Sequence, residues 1–275
     1  MSLVNMLKAA AGSLPIIQRG DSLPNRTLTV DELRIDRSHV AAYTAATGLR
    51  YGDAVPLTYP FVLTFPTVME LITSFDFPFA AMGSVHVENR IVRHRPISVT
   101  DTVDFTVHAE NLREHRKGLL VDVVTDIRIG NDQAWHQVTT FLHQQRTSLS
   151  GEPKPEPPKQ PKMPPPNVIL RITPGEIRHY ASVGGDRNPI HTSTIGAKLF
   201  GFPTAIAHGM FSGAAVLANI EGRIPDAVIY AVKFGKPVML PATAGVYLDR
   251  VSDGWDISMR NLSKGYPHLT ATIRG

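Results

Sequence analysis

The sequence predicts an α+β protein built of two tandem modules, each a long helix wrapped by an antiparallel sheet. Three observations carry this. Both parts of the chain run through the same order: a helical turn, an irregular segment, a longer helix of small and apolar residues, then alternating strand-like stretches. A proline-rich stretch separates them, and two short stretches of one part align on the other.

The chain has 275 residues, 43% hydrophobic and 19% charged, which suits a folded protein with one large core or two ordinary ones. It contains no cysteine, so disulfides, thiolate nucleophiles and cysteine-bound metals are excluded, and a reducing, cytoplasmic setting is expected. A net charge of +4 favours an anionic partner, and a phosphate-bearing small molecule satisfies it as well as a nucleic acid would.

In chain order, MSLVNMLKAAAGSLP reads as a short helix. Asn5 and Lys8 break its apolar run and no basic segment precedes it, so it does not read as a signal peptide. No apolar run approaches the roughly 20 residues needed to span a bilayer. Val40 to Arg50 (VAAYTAATGLR) forms the first helical turn, and strands are expected from Ser84 to Gln145. Residues 148–167, SLSGEPKPEPPKQPKMPPPN, form a linker, because proline denies backbone donors and the charges deny a core. Such a chain extends at roughly 3.1 Å per residue and can join distant ends. The modules are therefore 1–147 and 168–275. In the second, a helix is expected over Met210 to Glu221, closed by Gly222, with strands from Val228 onward.

The repeat aligns Val40–Arg50 with Ile177–Arg187, so that Tyr43 meets Tyr180 and Gly48 meets Gly185. Tyr59–Val68 then falls on Phe202–Phe211, with the first module about six residues shorter between the two blocks. In this register Leu49 stands at Asp186, Ala54 opposite His191 and Pro66 at Gly209.

The stretch Gly185-Asp186-Arg187-Asn188-Pro189-Ile190-His191 carries the chemistry. Asp and Asn before Pro build turns, and Pro opens helices. That leaves His191 unexplained unless the turn brings it to Asp186, where a carboxylate and an imidazole converge on one water. Ala207-His208-Gly209-Met210 then stands at a helix entrance, where free N–H groups and the positive end of the helix dipole can hold an oxyanion, and Gly209 lets a carbonyl approach. His208 reads as a packed or capping imidazole. As metal ligands, Asp186, His191 and His208 lack the HxH or HExxH spacing, and no metal is expected.

Taken together these elements resemble the MaoC-like, R-specific enoyl-thioester hydratases and 3-hydroxyacyl-thioester dehydratases. The family's aromatic residue followed by Gly-Asp-x-Asn-Pro-aliphatic-His is matched by Tyr180, Gly185, Asp186, Asn188, Pro189, Ile190 and His191. The likeness continues through FGFPTAIAHGM, and the degenerate first module resembles double-hotdog members, so it covers nearly the whole chain. The resemblance implies a double hotdog fold and a hydro-lyase of fatty-acyl metabolism that interconverts (R)-3-hydroxyacyl and trans-2-enoyl thioesters. Asp186 and His191 would be the catalytic pair, acting jointly, and the Gly209 N–H would receive the thioester oxygen. Asn188, Gly185 and Pro189 would orient the site. No cofactor or metal is implied beyond coenzyme A or acyl carrier protein as the substrate's carrier.

The first module, lacking acid, base and oxyanion donor in the register above, would serve binding and packing, with Tyr51–Ile72 opening an acyl channel faced by Val68. Arg93, Arg95, Arg113, Arg116, Lys117, Lys233 and Lys236 could meet carrier phosphates, and without interleaved aromatic residues they do not point to nucleic acid. A monomeric pseudo-dimer or a homodimer is expected. The competing readings are a hotdog acyl-thioesterase and a non-catalytic acyl-thioester-binding protein.

Overall fold

The computed structural model describes residues 22–81, 83–152 and 163–275. The helix expected in Met1–Pro15 and residues 153–162 of the proline-rich stretch lie outside the described residues. The first part of the chain forms β1 (Leu28–Arg34), α1 (Arg37–Thr47), α2 (Tyr59–Thr73), β2 (Ser84–Arg93), β3 (Thr102–His115), β4 (Gly118–Ile129) and β5 (Asp132–Gln144). The second forms β6 (Val168–Ile172), α3 (Pro174–Gly184), the short α4 (Pro189–Thr192) and α5 (Thr194–Leu199), α6 (Gly209–Leu217), β7 (Val228–Phe234), β8 (Ala242–Val251), β9 (Gly254–Asn261) and β10 (Pro267–Arg274).

Local chemistry explains the helix ends. Asp36 caps α1 by accepting from the Ser38 N–H, and Gly48 closes it at φ 77°. Thr173 and Glu176 form a reciprocal capping box at the start of α3, with Pro174 in its first turn, and Gly185 closes it at φ 78°. The two helices pack together, their Tyr43 and Tyr180 rings 6.2 Å apart. By contrast α2 and α6 are apolar on most faces and are accordingly buried.

All strands join one antiparallel ten-stranded sheet in the order β1-β3-β4-β5-β2-β7-β10-β9-β8-β6. Outward from the β2–β7 pair, the order is β2-β5-β4-β3-β1 on one side and β7-β10-β9-β8-β6 on the other, the same arrangement twice. The fold is therefore an α+β double hotdog whose halves meet from Glu88↔Lys233 to Arg93↔Val228. Across this seam Asn89, Ile91, Tyr230 and Val232 are buried, and Tyr230 donates its hydroxyl hydrogen to the Gly213 carbonyl at 2.9 Å, tying α6 to the sheet. Arg93 reaches across to the Pro225 and Asp226 carbonyls at 2.8 Å each.

Two expectations need correction. Helix α6 ends at Leu217, not Glu221, and Gly222 lies in a 3-10 turn over Glu221–Arg223. The Asn219 amide donates back to the Ala215 and Val216 carbonyls, taking acceptors that a continuing helix would use. The register of the second repeat block also shifts. Tyr59 packs edge-on against Tyr43 as Phe211 does against Tyr180, so Tyr59 is the counterpart of Phe211 and Leu57 falls at Gly209, while Pro66 lies inside α2. The Ala54–Ser98 bridge mirrors Ile206–Met239, which pairs Ala54 with Ile206 rather than His191. The gap-free alignment matched apolar, proline-containing stretches by composition, whereas bridge partners and ring contacts fix the true correspondence. Among the described residues of the first half nothing corresponds to α4 and α5.

Because Ile91 is fully buried on the seam strand, Ile91→Ala should destabilise the protein by about 2–5 kcal/mol. In urea titrations followed by circular dichroism, the whole unfolding transition should move as one; two separating transitions would show that the halves do not depend on the seam.

Candidate active site

The site begins where α3 stops. The positive φ of Gly185 turns the chain, and Asp186 follows with its Oδ1 accepting from the Asn188 N–H at 3.1 Å. The Asn188 side chain accepts from the Ile190 N–H at 3.2 Å and so caps α4, whose first residue is Pro189. The backbone is crowded here: a Cβ on Gly196 would stand 2.5 Å from the Pro189 Cβ, so only glycine lets α5 fold against α4. This turn presents His191, which lies on the same cavity as Asp186.

Hydrogen bonds fix the tautomers of both imidazoles. His191 donates from Nδ1 to the Ile206 carbonyl at 2.8 Å, which leaves Nε2 with a lone pair, 3.8 Å from Asp186 Oδ2. His208 donates from Nε2 to the Asp186 backbone carbonyl at 2.9 Å. The two rings stack with centroids 3.8 Å apart. Burial lowers the His191 pKa, opposed by the Asp186 carboxylate and the Ile206 carbonyl. Burial beside His191 holds His208 well below the usual histidine value. Both rings are neutral at neutral pH. Asp186, His191 and His208 each bring one potential ligand atom within 4.8 Å of the others. His208 Nε2, 3.8 Å from Asp186 Oδ2, carries the hydrogen it donates to the Asp186 carbonyl and so offers a cation no lone pair.

Gly209 opens α6, where the first-turn N–H groups have no partner within the helix. A Cβ on Gly209 would meet the Phe234 ring at 3.0–3.1 Å, so glycine keeps the approach to this backbone clear. Asp186, His191 and Gly209 all border one cavity of about 820 Å³. Its remaining wall comes from both halves: Phe61, Phe65, Met69 and Ile72 of α2 and His86 of β2 face Tyr180 and Phe234 of the second half. Val68, expected on this channel, is instead buried in the core, and Met69 takes that place, because the helical period turns neighbouring positions to different faces.

The structure separates the basic residues that the sequence left alike. Arg113 pairs with Asp122 at 2.9 Å, Lys233 with Glu88 at 3.0 Å, and Arg93 holds backbone carbonyls. Lys117, Arg187 and Lys236 border the cavity. Sequence reasoning kept His208 off the site, and its partner atoms explain its place there: it holds the turn that carries Asp186. His86 was missed altogether. In the alternating run SVHVEN nothing local sets it apart from an ordinary strand residue.

Chemically, the arrangement offers an imidazole lone pair, a carboxylate beside it and a helix start with free N–H groups, around a mostly apolar cavity. Such a set can move a proton next to a carbonyl whose oxygen gathers negative charge. Comparison with known proteins agrees. Residues 156–271 match the model of the MaoC like domain. The chain is 70% identical over 273 residues to 3-hydroxyacyl-thioester dehydratase X of Mycobacterium tuberculosis, covering 99% of this chain and 98% of that protein. It superimposes on a crystal structure of HtdX from Mycobacterium tuberculosis with a TM-score of 0.84 at 70% identity, over 90% of this chain and 99% of that one. A MaoC-like dehydratase from Phytophthora capsici shares the fold, with a TM-score of 0.71 at 18% identity over 95% of this chain and 98% of that one. The turn of Asp186 and His191, the glycine-led helix and the full-length similarity converge: this chain belongs to the MaoC-like dehydratase family.

Proposed function

We propose that the protein is a hydro-lyase that interconverts (R)-3-hydroxyacyl thioesters with trans-2-enoyl thioesters and water, in the cytoplasm. The observation that carries this is the meeting of Asp186, the free Nε2 of His191 and the Gly209 helix start on one cavity with apolar walls. In the hydration direction, the neutral Nε2 of His191 takes a proton from water as its oxygen bonds to C3 of the enoyl chain. The resulting enolate oxygen is held by the Gly209 N–H at the positive end of α6. The imidazolium, stabilised by the Asp186 carboxylate, then returns the proton to C2. Dehydration runs the same steps backward. Asn188, Gly185 and Pro189 act as positioning residues, through the turn that aims Asp186 and His191.

On this reading the chain holds one catalytic site, and the first half supplies a wall without chemistry of its own. Leu49 follows Gly48 where Asp186 follows Gly185, and among the described residues of the first half no segment equivalent to α4 carries a histidine. The apolar α2 face receives the acyl tail. Arg187, Lys117 and Lys236 at the cavity's borders attract the phosphates of coenzyme A or of an acyl carrier protein. Two fused halves already supply the pairing that single modules obtain by dimerising, so a monomeric pseudo-dimer suffices for the site.

The direct test follows enoyl-thioester absorbance and free thiol together with crotonyl-CoA. Loss of the enoyl band without thiol release is expected; thiol release would indicate a thioesterase, and neither signal a binding protein. Asp186→Asn and His191→Ala should each lower turnover about 100- to 10,000-fold with the fold retained by circular dichroism. Near-normal hydration by a folded Asp186→Asn protein would sink the assignment.

The pH profile follows from the same geometry. His191 must be neutral to act as the base, and its pKa lies below the usual histidine value of about 6.5. Activity should therefore persist as pH falls through about 6.5 and be lost only below it, with kcat/KM reporting the free enzyme. An acid limb centred above 6.5 would contradict a buried neutral base.

The tail assignment is tested at Met69, on the cavity wall. Met69→Trp should cut kcat/KM for long-chain enoyl-CoA by about tenfold or more while sparing crotonyl-CoA. Equal loss on both would place Met69 elsewhere in the enzyme's working.

A further inference from the structure

His86 is a polar group that the reaction above does not use. It stands on β2, half-buried, and borders the cavity. Its ring stacks on Phe61 at 5.6 Å and contacts Phe141 at 5.4 Å and Phe234 at 4.9 Å. Nε2 donates to the Glu88 carbonyl at 2.9 Å, which fixes the proton there and leaves a lone pair on Nδ1. Among the described residues no hydrogen bond engages Nδ1. Burial lowers the ring's pKa to about 4, so it is a neutral acceptor under ordinary conditions.

An acceptor in an apolar passage has a consequence for what passes. Cavity water can satisfy Nδ1 in the free enzyme, but a plain alkyl chain displaces that water and returns nothing. A chain with a hydrogen-bond donor at this point avoids the loss, and a site built around such a donor discriminates strongly against the analogue that lacks it. Phe234 on one side of His86 lies against Gly209, and Phe61 on the other begins the α2 wall that continues to Met69 and Ile72, so His86 stands where the acyl chain leaves the reacting end of the cavity, and the donor it meets belongs to that chain.

Resting on the hydratase reading, we propose that His86 is a specificity-determining residue whose Nδ1 accepts a hydrogen bond from a hydroxyl on the acyl chain, so that the protein favours oxygenated over plain acyl thioesters. The test compares trans-2-enoyl-CoA substrates of matched length, plain or bearing a hydroxyl at successive carbons beyond C3. For the unaltered protein, kcat/KM should be at least about tenfold higher for one hydroxylated position than for the plain chain. His86→Phe, which extends the surrounding aromatic cluster, should abolish that preference and leave or raise turnover of the plain chain. Should His86→Phe fold poorly, the substrate ranking of the unaltered protein decides by itself. Normal hydration of plain chains with no preference for any hydroxyl position overturns this inference and leaves the hydratase reading intact. A fall of His86→Phe on plain and hydroxylated chains alike also overturns it, since His86 would then serve the reaction rather than the choice of chain. Absence of hydration with every substrate would instead defeat the hydratase reading.

Discussion

The antiparallel pairing of β2 with β7 is the constraint on which the rest of the molecule depends. Six residue pairs in register, from Glu88↔Lys233 to Arg93↔Val228, turn two five-stranded sheets into one. The same pairing sets α2 and β2 of the first half against the turn and helix start of the second. Without it Asp186 and His191 would face open solvent on one side, and His191 would keep a more ordinary acidity. The sheet's continuity thus encloses the cavity in which burial lowers the His191 pKa beside the Asp186 carboxylate.

Within that cavity, backbone carbonyls do the fine positioning. The Ile206 carbonyl holds His191 Nδ1, the Asp186 carbonyl holds His208 Nε2, and the Glu88 carbonyl holds His86 Nε2. Each bond decides which nitrogen bears hydrogen and which faces away with a lone pair. The first two of these bonds also lock the turn to the start of α6, and Ile206 donates its N–H to the Ile190 carbonyl at 3.0 Å as well. The geometry of the turn and the protonation state of its histidine therefore have a common cause.

The two halves differ by a segment more than by single residues. Both contain the capped helix ending in a left-handed glycine, and both contain the buried helix behind the sheet. The second alone inserts α4 and α5 between them. Tyr43 donates to Thr58 Oγ1 at 2.8 Å, whereas Tyr180 packs on the His208 ring. Loss of the inserted segment leaves the first half free to present apolar side chains to the shared cavity.

The α+β class and the duplication were legible in the sequence, because apolar periodicity and the aligned Tyr43/Tyr180 and Gly48/Gly185 are local properties of the chain. GDRNPIH was legible for the same reason, as Asp186, Asn188 and Pro189 build one local turn. The correspondence of Tyr59 with Phe211, the exchange of Val68 for Met69 on the channel wall, and the place of His86 were not. Each depends on which face of an element meets the other half, and that is decided by β-pairing between residues more than 100 positions apart. A helix start or a strand's alternation fixes the period of side chains along the element, but only the partner across the seam fixes its phase relative to the site.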